Sequence, residues 1–412
     1  MAKIQIQTLK GFRDFLPAEK RKRDFVLEKV KKGFEIFGFE PLESPAIEYA
    51  SLLLGKYGEE ADRLVYTFKD RGDRKVALRY DQTVPLARIA IQYKDKLSNP
   101  FKRYQIQNVW RAEKPQKGRF REFLQCDIDI INNPSLLADA EVIVCAINIA
   151  KKLGFKNTKM LINNRREVFG DLSPKYISSI DKLDKIGKQG VISDLIKKGM
   201  DKKNAENKIN SISNKKPTPD ILSLFKYLEK FGLKENKDFV FEPTLARGLD
   251  YYTSTIFELT SSDYKSGSLG GGGRYDNLIG SFFNNNVNIP AVGFSFGFDR
   301  LIEAMEELDL FPKNMTFSST QVLVTVFNKE YLGNSIETST LLRNNKINSE
   351  VYLNSATPLD KQLKYADKKA IPWVIIIGPD ETKENKIMLK NLETMKQEKV
   401  SLKNAIEKIK KL

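Results

Sequence analysis

EFLQCDIDII, residues 122–131, alternates in a way that only an extended chain uses. Side chains two apart in a strand share a face. Leu124, Cys126, Ile128 and Ile130 therefore form one apolar face, suited to a core. Phe123, Gln125, Asp127 and Asp129 form the other. An amide and two carboxylates in a row are unusual for a strand with so apolar a back. Such a face is either a solvent-facing side or the floor of a polar pocket that receives a cation or a hydrogen-bond donor.

Strand character extends outward from this segment. VYTFK (65–69), KVALRY (75–80) and RYQIQNVWRAE (103–113) precede it, and a helix over Leu136–Lys152 follows. Upstream, Ala18–Phe37 carries Val26, Val30, Phe34 and Phe37 on one helical stripe and ends at Gly38. Returning strands without regular crossover helices predict an α+β fold with a largely antiparallel sheet. From about 171 to 232 Lys-rich helical stretches replace the strands, as an inserted helical module would. KDFVFEP, TSTIFELT and AVGFSFGF then restore strand character. Beyond KNMTFSST (313–320), strands and helices alternate in a small α/β domain. The predicted division is a core over 1–170 and 233–312, a helical insertion over 171–232, a linker over 313–319 and a last domain over 320–412.

Composition limits the chemistry. The 412 residues contain no histidine, which excludes Ser-His-Asp and Cys-His nucleophile systems, an HExxH metal site and a histidine general base. Cys126 and Cys145 can build neither a disulfide framework nor a zinc site by spacing. No metal ligand set is assigned to protein side chains. MAKIQIQTLKGFRDFLP lacks an apolar signal core, and no apolar stretch is long enough to span a bilayer, so a cytoplasmic protein is expected. The net charge of +16 has two readings: a Lys-, Ile- and Asn-rich composition on solvated helix faces, or polyanion binding.

Three further segments carry chemistry. WRAEKPQKGRFREF (110–123) crowds Arg111, Lys114, Lys117, Arg119 and Arg121 into a loop beside the acidic strand face. Guanidinium groups recognise phosphate oxygens with paired planar donors. In AVGFSFGFDRL (291–301), Val292, Phe294, Phe296 and Phe298 point one way and Gly293, Ser295 and Gly297 the other. That bare face serves either tight packing or close approach of a ligand. Arg300 in the following first helical turn opposes the helix dipole, a cost that a bound anion offsets. GSLGGGGRYDNLIG (267–280) is neither a P-loop nor a Rossmann fingerprint, and its Gly run alone is weak evidence, compatible with no more than a flexible turn. LARGLDYYTSTIFEL (245–259) sets Arg247 and two tyrosines at the start of a strand.

Together these segments resemble class II aminoacyl-tRNA synthetases, specifically the histidyl-tRNA synthetase family, over essentially the whole chain. GFRDFLP (11–17) resembles the N-terminal signature, and GFEPLESPAIEY (38–49) is similar to class motif 1, with Pro45 at its dimer interface. The segments around Arg111 and Arg300 resemble motifs 2 and 3. LARGLDYYT and GGGGRYD resemble the paired histidine-specific signatures.

The resemblance implies an activity and a set of roles. Histidine is activated with ATP, as its Mg2+ complex, to histidyl-adenylate and then joined to the 3′ end of tRNA(His), with AMP and pyrophosphate released. Asp81, Gln82, Thr83 and Gln125 would line the α-amino site. Asp129 and Tyr252 would take the imidazole nitrogens, with Tyr251 and Tyr275 shaping the pocket. Arg111 would bind the α-phosphate and the histidine carboxylate, Glu113 the adenine edge and Phe123 the adenine face. Arg119 and Arg300 would hold the outer phosphates, and Arg247 would sit at the α-phosphate. A cytoplasmic homodimer is implied, without a membrane partner. Asp129 stands where many bacterial members have glutamate, and Lys114 where arginine is common. The last domain resembles the class IIa anticodon-binding domain, and its 16 Lys+Arg against 11 Asp+Glu suit RNA backbone contacts.

One competitor is a non-aminoacylating, synthetase-like regulatory subunit of histidine biosynthesis. Such paralogues generally lack the last domain and degrade the two signatures, whereas both are present here. Another is a class II synthetase for glycine, proline or threonine, against which RGLDYY speaks. The reaction itself needs no histidine side chain, because the substrate carboxylate is already ionised. A histidine-free chain can also be translated without its own product; compositional drift would leave the same zero.

Overall fold

Alternation at 122–131 survives in three dimensions with the same bounds: Glu122–Ile131 is a ten-residue strand. The computed structural model describes residues 6–56, 62–116, 118–247, 251–282, 288–313, 315 and 317–410. Lys117 of the basic loop, Gly248–Asp250 of the Arg247 segment and residues 314 and 316 of the expected linker lie outside them. The chain forms two compact units, Met1–Asp14 with Arg23–Phe311, and Phe15–Lys22 with Pro312–Leu412.

In the first unit the strands are β1 (Glu40–Pro41), β2 (Ile47–Tyr49), β3 (Thr67–Lys69), β4 (Lys75–Leu78), β5 (Phe101–Trp110) and β6 (Glu122–Ile131). They continue as β7 (Thr158–Asn164), β8 (Phe239–Phe241), β9 (Thr255–Ser261), β10 (Gly270–Arg274) and β11 (Ala291–Gly297). Eight of them form one sheet in the order β1-β5-β6-β11-β10-β9-β7-β8. Its pairs are antiparallel except β1–β5 and β7–β8. A three-stranded sheet, β2-β4-β3, stands apart from it.

The apolar back of β6 is the core that its alternation requires. Cys126, Ile128 and Ile130 pack with Val26, Val30 and Phe34 of helix Pro17–Ile36 and with the helix Leu136–Lys152. That second helix begins where a helix should, at Ser135, whose hydroxyl accepts the Leu137 N–H. Gly33 makes the packing of the two helices close: a Cβ there would stand 2.4 Å from Ile149 Cγ1. The thiols of Cys126 and Cys145 are buried, which pushes both well above their ordinary pKa range.

Residues 267–280 are not the flexible turn that a Gly run alone allows. Gly270–Arg274 is a wholly buried strand between β9 and β11. Only glycine fits at some of its positions. A Cβ on Gly272 would lie 2.0 Å from the carbonyl oxygen of Gly293 on the neighbouring strand. The expected helical stretch resolves into helices Pro174–Ile180, Leu183–Lys197, Lys202–Ser213 and Pro219–Lys230. The first three share a hydrophobic core with Leu245, Ala246, Tyr252 and Ile256.

The second unit holds β12 (Val322–Val324), β13 (Ser349–Val351), β14 (Trp373–Ile376), β15 (Ile387–Asn391) and β16 (Gln397–Val400). Their order is β13-β12-β14-β15-β16, parallel across the first three and antiparallel across the last three. Leu342, Ala405 and Ile409 from its helices pack on Val322, Val324 and Ile375. Among the described residues no helix is long and apolar enough to cross a membrane.

Candidate active site

The polar face of β6 is the floor of a cavity of about 410 Å³. Of the two readings of that face, the pocket is the one realised: Gln125, Asp127 and Asp129 are 9%, 4% and 3% exposed. Register explains what stands beside each. Gln125 lies between Gln107 of β5 and Gly297 of β11, Asp127 between Gln105 and Ser295, and Asp129 between Arg103 and Gly293. The bare face of β11 is thus what leaves room above the carboxylates.

Asp129 is held from two sides. Arg103, wholly buried, makes an ion pair of 2.6 Å with its Oδ2, and the Tyr275 hydroxyl donates to Oδ1. Burial raises the Asp129 pKa, while Arg103 and the Tyr275 hydrogen bond pull it down. Asp127 is placed differently. Its Oδ1 has no hydrogen-bond partner among the described residues. Burial lifts its pKa to about 7, opposed by Arg103 and the Ser295 hydroxyl and assisted by Asp129 and Asp81.

Asp81 and Thr83 line the cavity at the start of helix Thr83–Gln92, where Asp81 Oδ1 accepts the Val84 N–H at 3.1 Å. Tyr251, Tyr252 and Tyr275 form an aromatic wall, with Tyr251 4.9 Å from Tyr252 and 5.9 Å from Tyr275 between ring centroids. Gln82 stands elsewhere. It is wholly buried, and its amide donates to the carbonyl oxygens of Gln107 at 2.8 Å and Gln125 at 3.4 Å, bracing the floor rather than lining the cavity.

Arginines line the rest of the cavity. Arg111 follows β5 directly; its guanidinium lies 4.3 Å from the Tyr80 ring centroid and 5.1 Å from that of Phe123, and its Nε donates to the Tyr80 carbonyl. Arg247 pairs with Glu258 of β9 at 2.7 Å. Burial works against the Arg247 charge, but Tyr252, Glu258 and Asp181 hold its pKa above the ordinary value. Arg300 reaches the Ser268 carbonyl at 3.4 Å. Arg119 and Glu113, expected at opposite ends of a nucleotide, stand 3.5 Å apart as an ion pair across the turn that Gln116 and Arg119 close.

All the sequence-derived site residues except Gln82 therefore meet in one cavity. Arg103 and Glu258 were not singled out from the sequence. Arg103, Gln105 and Gln107 repeat on β5 the polar alternation seen on β6, which marks β5 as the neighbouring part of the same floor.

The profile of a family described as Histidyl-tRNA synthetase matches residues 11–301, and one described as Anticodon binding domain matches residues 321–412. A histidine–tRNA ligase of Cytophaga hutchinsonii is 39% identical, covering 97% of this chain and 98% of the relative. That of Clostridium tetani is 38% identical over 99% and 98%. Among solved structures, a histidyl-tRNA synthetase from Nostoc sp. PCC 7120 superposes with a TM-score of 0.83 at 30% identity, covering 99% of this chain and 100% of that one. An ATP phosphoribosyltransferase regulatory subunit/histidyl-tRNA synthetase from Bacillus halodurans shares the fold at 21% identity, with a TM-score of 0.71 over 91% and 99%.

Proposed function

The chain belongs to the histidyl-tRNA synthetase family and ligates histidine to tRNA(His), and on that premise we propose how its own residues divide the work. One observation carries the proposal: a carboxylate-floored, tyrosine-walled cavity opens onto Arg111, Arg119, Arg247 and Arg300. Carboxylates suit the cationic end of an amino acid, and arginines suit phosphates.

Histidine lies with its α-amino group toward Asp81, Thr83 and Gln125 and its ring toward Asp129, Tyr252 and Tyr275. Asp129, fixed by Arg103, is an oriented acceptor, and its shorter side chain is reached through the Tyr275 hydroxyl bound to it. ATP lies over Phe123, with Glu113 at the adenine edge and Arg119 and Arg300 on the outer phosphates. For that, the Glu113–Arg119 pair opens when the nucleotide enters. Magnesium would arrive with ATP and would add charge neutralisation at the phosphates; no side-chain ligand set is assigned to it.

In the first half-reaction the histidine carboxylate attacks the α-phosphorus and pyrophosphate leaves. Arg111 and Arg247 stabilise the charge that develops on the α-phosphoryl oxygens. The work is positioning plus electrostatics, which suits a chain without histidine. In the second half a terminal ribose hydroxyl of the tRNA attacks the adenylate carbonyl, its proton passes to a phosphate oxygen, and AMP departs. The core over 1–170 and 233–312 carries this chemistry. Residues 171–232 face the acceptor stem, residues 313–319 link, and residues 320–412 bind the anticodon.

The protein acts in the cytoplasm as a homodimer. Exposed Tyr49 and Phe68 flank Val76 in register on β2-β4-β3, as an apolar self-association surface requires. ATP–pyrophosphate exchange tests the catalytic reading: histidine drives it and no other standard amino acid does. Exchange without histidine dependence from folded protein overturns it.

A further inference from the structure

We propose that Asp127 is the counter-ion of the α-ammonium group of bound histidine, a role that none of the family-matched site residues assigns to it. The inference rests on reading the cavity as the histidine site. It comes from accounting for acceptors on the floor.

An ammonium group brings three donors and one positive charge. Asp129 is held by Arg103 through Oδ2 and by Tyr275 through Oδ1, and that pairing turns it to the ring rather than to the ammonium group. Asp81 already accepts the Val84 N–H through Oδ1, and its Oδ2 stands 3.5 Å from the Tyr251 hydroxyl. Between them on the same face, Asp127 Oδ1 and Gln125 Oε1 are buried without partners among the described residues, and both residues line the cavity. A buried oxygen of this kind calls for a donor. Gln125 supplies an acceptor without charge, and Asp127 supplies the charge beside it on the same strand face.

The groups facing Asp127 compensate that charge only in part. From β5 comes Arg103, which is paired with Asp129; from β11 comes the Ser295 hydroxyl; from the segment before helix Thr83–Gln92 come Arg79 and Asp81; and Asp129 shares its strand. Their balance, with burial, is what places its ionisation near neutrality. An arriving ammonium group tips Asp127 to the anion and releases a proton wherever the carboxyl was protonated. Affinity for ammonium-bearing ligands therefore falls as pH drops below that range.

The experiment compares wild type with Asp127→Asn and Thr83→Val, using histidine, L-histidinol and 3-(imidazol-4-yl)propionate, which lacks the ammonium group. In exchange assays at pH 8, Asp127→Asn raises the histidine KM by about thirtyfold or more while the ATP KM and kcat stay within about threefold. By calorimetry L-histidinol weakens in parallel and imidazolylpropionate binds both proteins alike. Between pH 8 and 5.5 the wild-type advantage over Asp127→Asn shrinks by about tenfold or more, since titration of the ligand ring cancels in the ratio. Asp127→Ser, with the same ligand selectivity, guards against a distortion peculiar to asparagine. Equal weakening of imidazolylpropionate puts Asp127 against the ring and overturns the proposal. A normal histidine KM in Asp127→Asn beside a raised one in Thr83→Val also overturns it, with the site reading intact. Normal values in both, with exchange intact, overturn the site reading itself.

Discussion

Two neighbouring glycines on β10 should fail in opposite ways. A Cβ on Gly271 would lie 2.2 Å from Arg247 Nη1, 2.5 Å from Cζ and 2.8 Å from Nη2. The guanidinium ends a flexible chain, so in Gly271→Ala it swings aside by an ångström or so, leaving Glu258 and the phosphate position behind. The Arg247–Glu258 pair is partly exposed, with side chains 22% and 26% accessible, so its loss costs stability only about 1 kcal/mol or less. Losing a preorganised donor to a charge-developing oxygen costs about 3–4 kcal/mol of transition-state stabilisation, or about 10²–10³ in rate. Gly272→Ala meets backbone instead. Its Cβ would sit 2.0 Å from the Gly293 oxygen and 2.8 Å from the Phe294 Cα, and neither can swing. The strands must part, at a cost of about 3 kcal/mol or more. Single-turnover adenylate formation and urea denaturation, run on both variants and on Arg247→Ala, separate the two failures. Gly271→Ala combined with Arg247→Ala should be no slower than Arg247→Ala alone. A full rate in Gly271→Ala, or additive losses in the pair, refutes the reasoning.

Three other perturbations follow from the same floor and its surroundings. Arg103→Met strands the Asp129 carboxylate in a buried site and should lower unfolding stability by about 3 kcal/mol, with Asp129→Leu in the same chain restoring most of it in denaturant titrations. Asp127 ionises at about 7 in the fold against the ordinary 3.8 of an aspartate carboxyl, so its protonated form favours folding below about pH 4 and that benefit is lost as pH rises through about 7. Relative to Asp127→Asn, the wild type should lose at most about 4 kcal/mol between pH 4 and 8, measured by the urea midpoint; a pH-independent difference contradicts the placement of this carboxyl. Tyr49→Glu with Phe68→Glu should shift sedimentation from dimer to monomer at micromolar concentration while circular dichroism stays unchanged.

Where side chains wrote the pattern, the sequence could be read directly. The strand at 122–131 and the helix at 136–152 keep their predicted bounds because alternation and the Ser135 cap specify them locally. Gly270–Arg274 could not be read this way. Glycine has no strand preference and no face, and this strand exists because β9 and β11 supply partners on both sides. The basic residues misled in a related way. Arg103 stands in the polar alternation of β5, but nothing in that pattern names its carboxylate partner, and Glu113 and Arg119 hold each other across a turn that Gly118, at φ +69°, allows without prescribing the ion pair. At Gln82 the sequence does not show the direction of the side chain: its neighbours Asp81 and Thr83 line the cavity, while its own amide donates to the backbone of β5 and β6.

The helices between 174 and 213 invite description as an addition to the catalytic core, yet their hydrophobic interior is completed by Leu245, Ala246, Tyr252 and Ile256. Ile177, Ile180, Val191 and Leu195 thereby back the wall from which Tyr252 faces the amino-acid cavity. A lineage that shortened this region would strip the support from that wall before any contact with RNA came into play. Substrate choice and the upkeep of a distant-looking helical outgrowth are thus tied by ordinary packing, and selection on one is felt by the other.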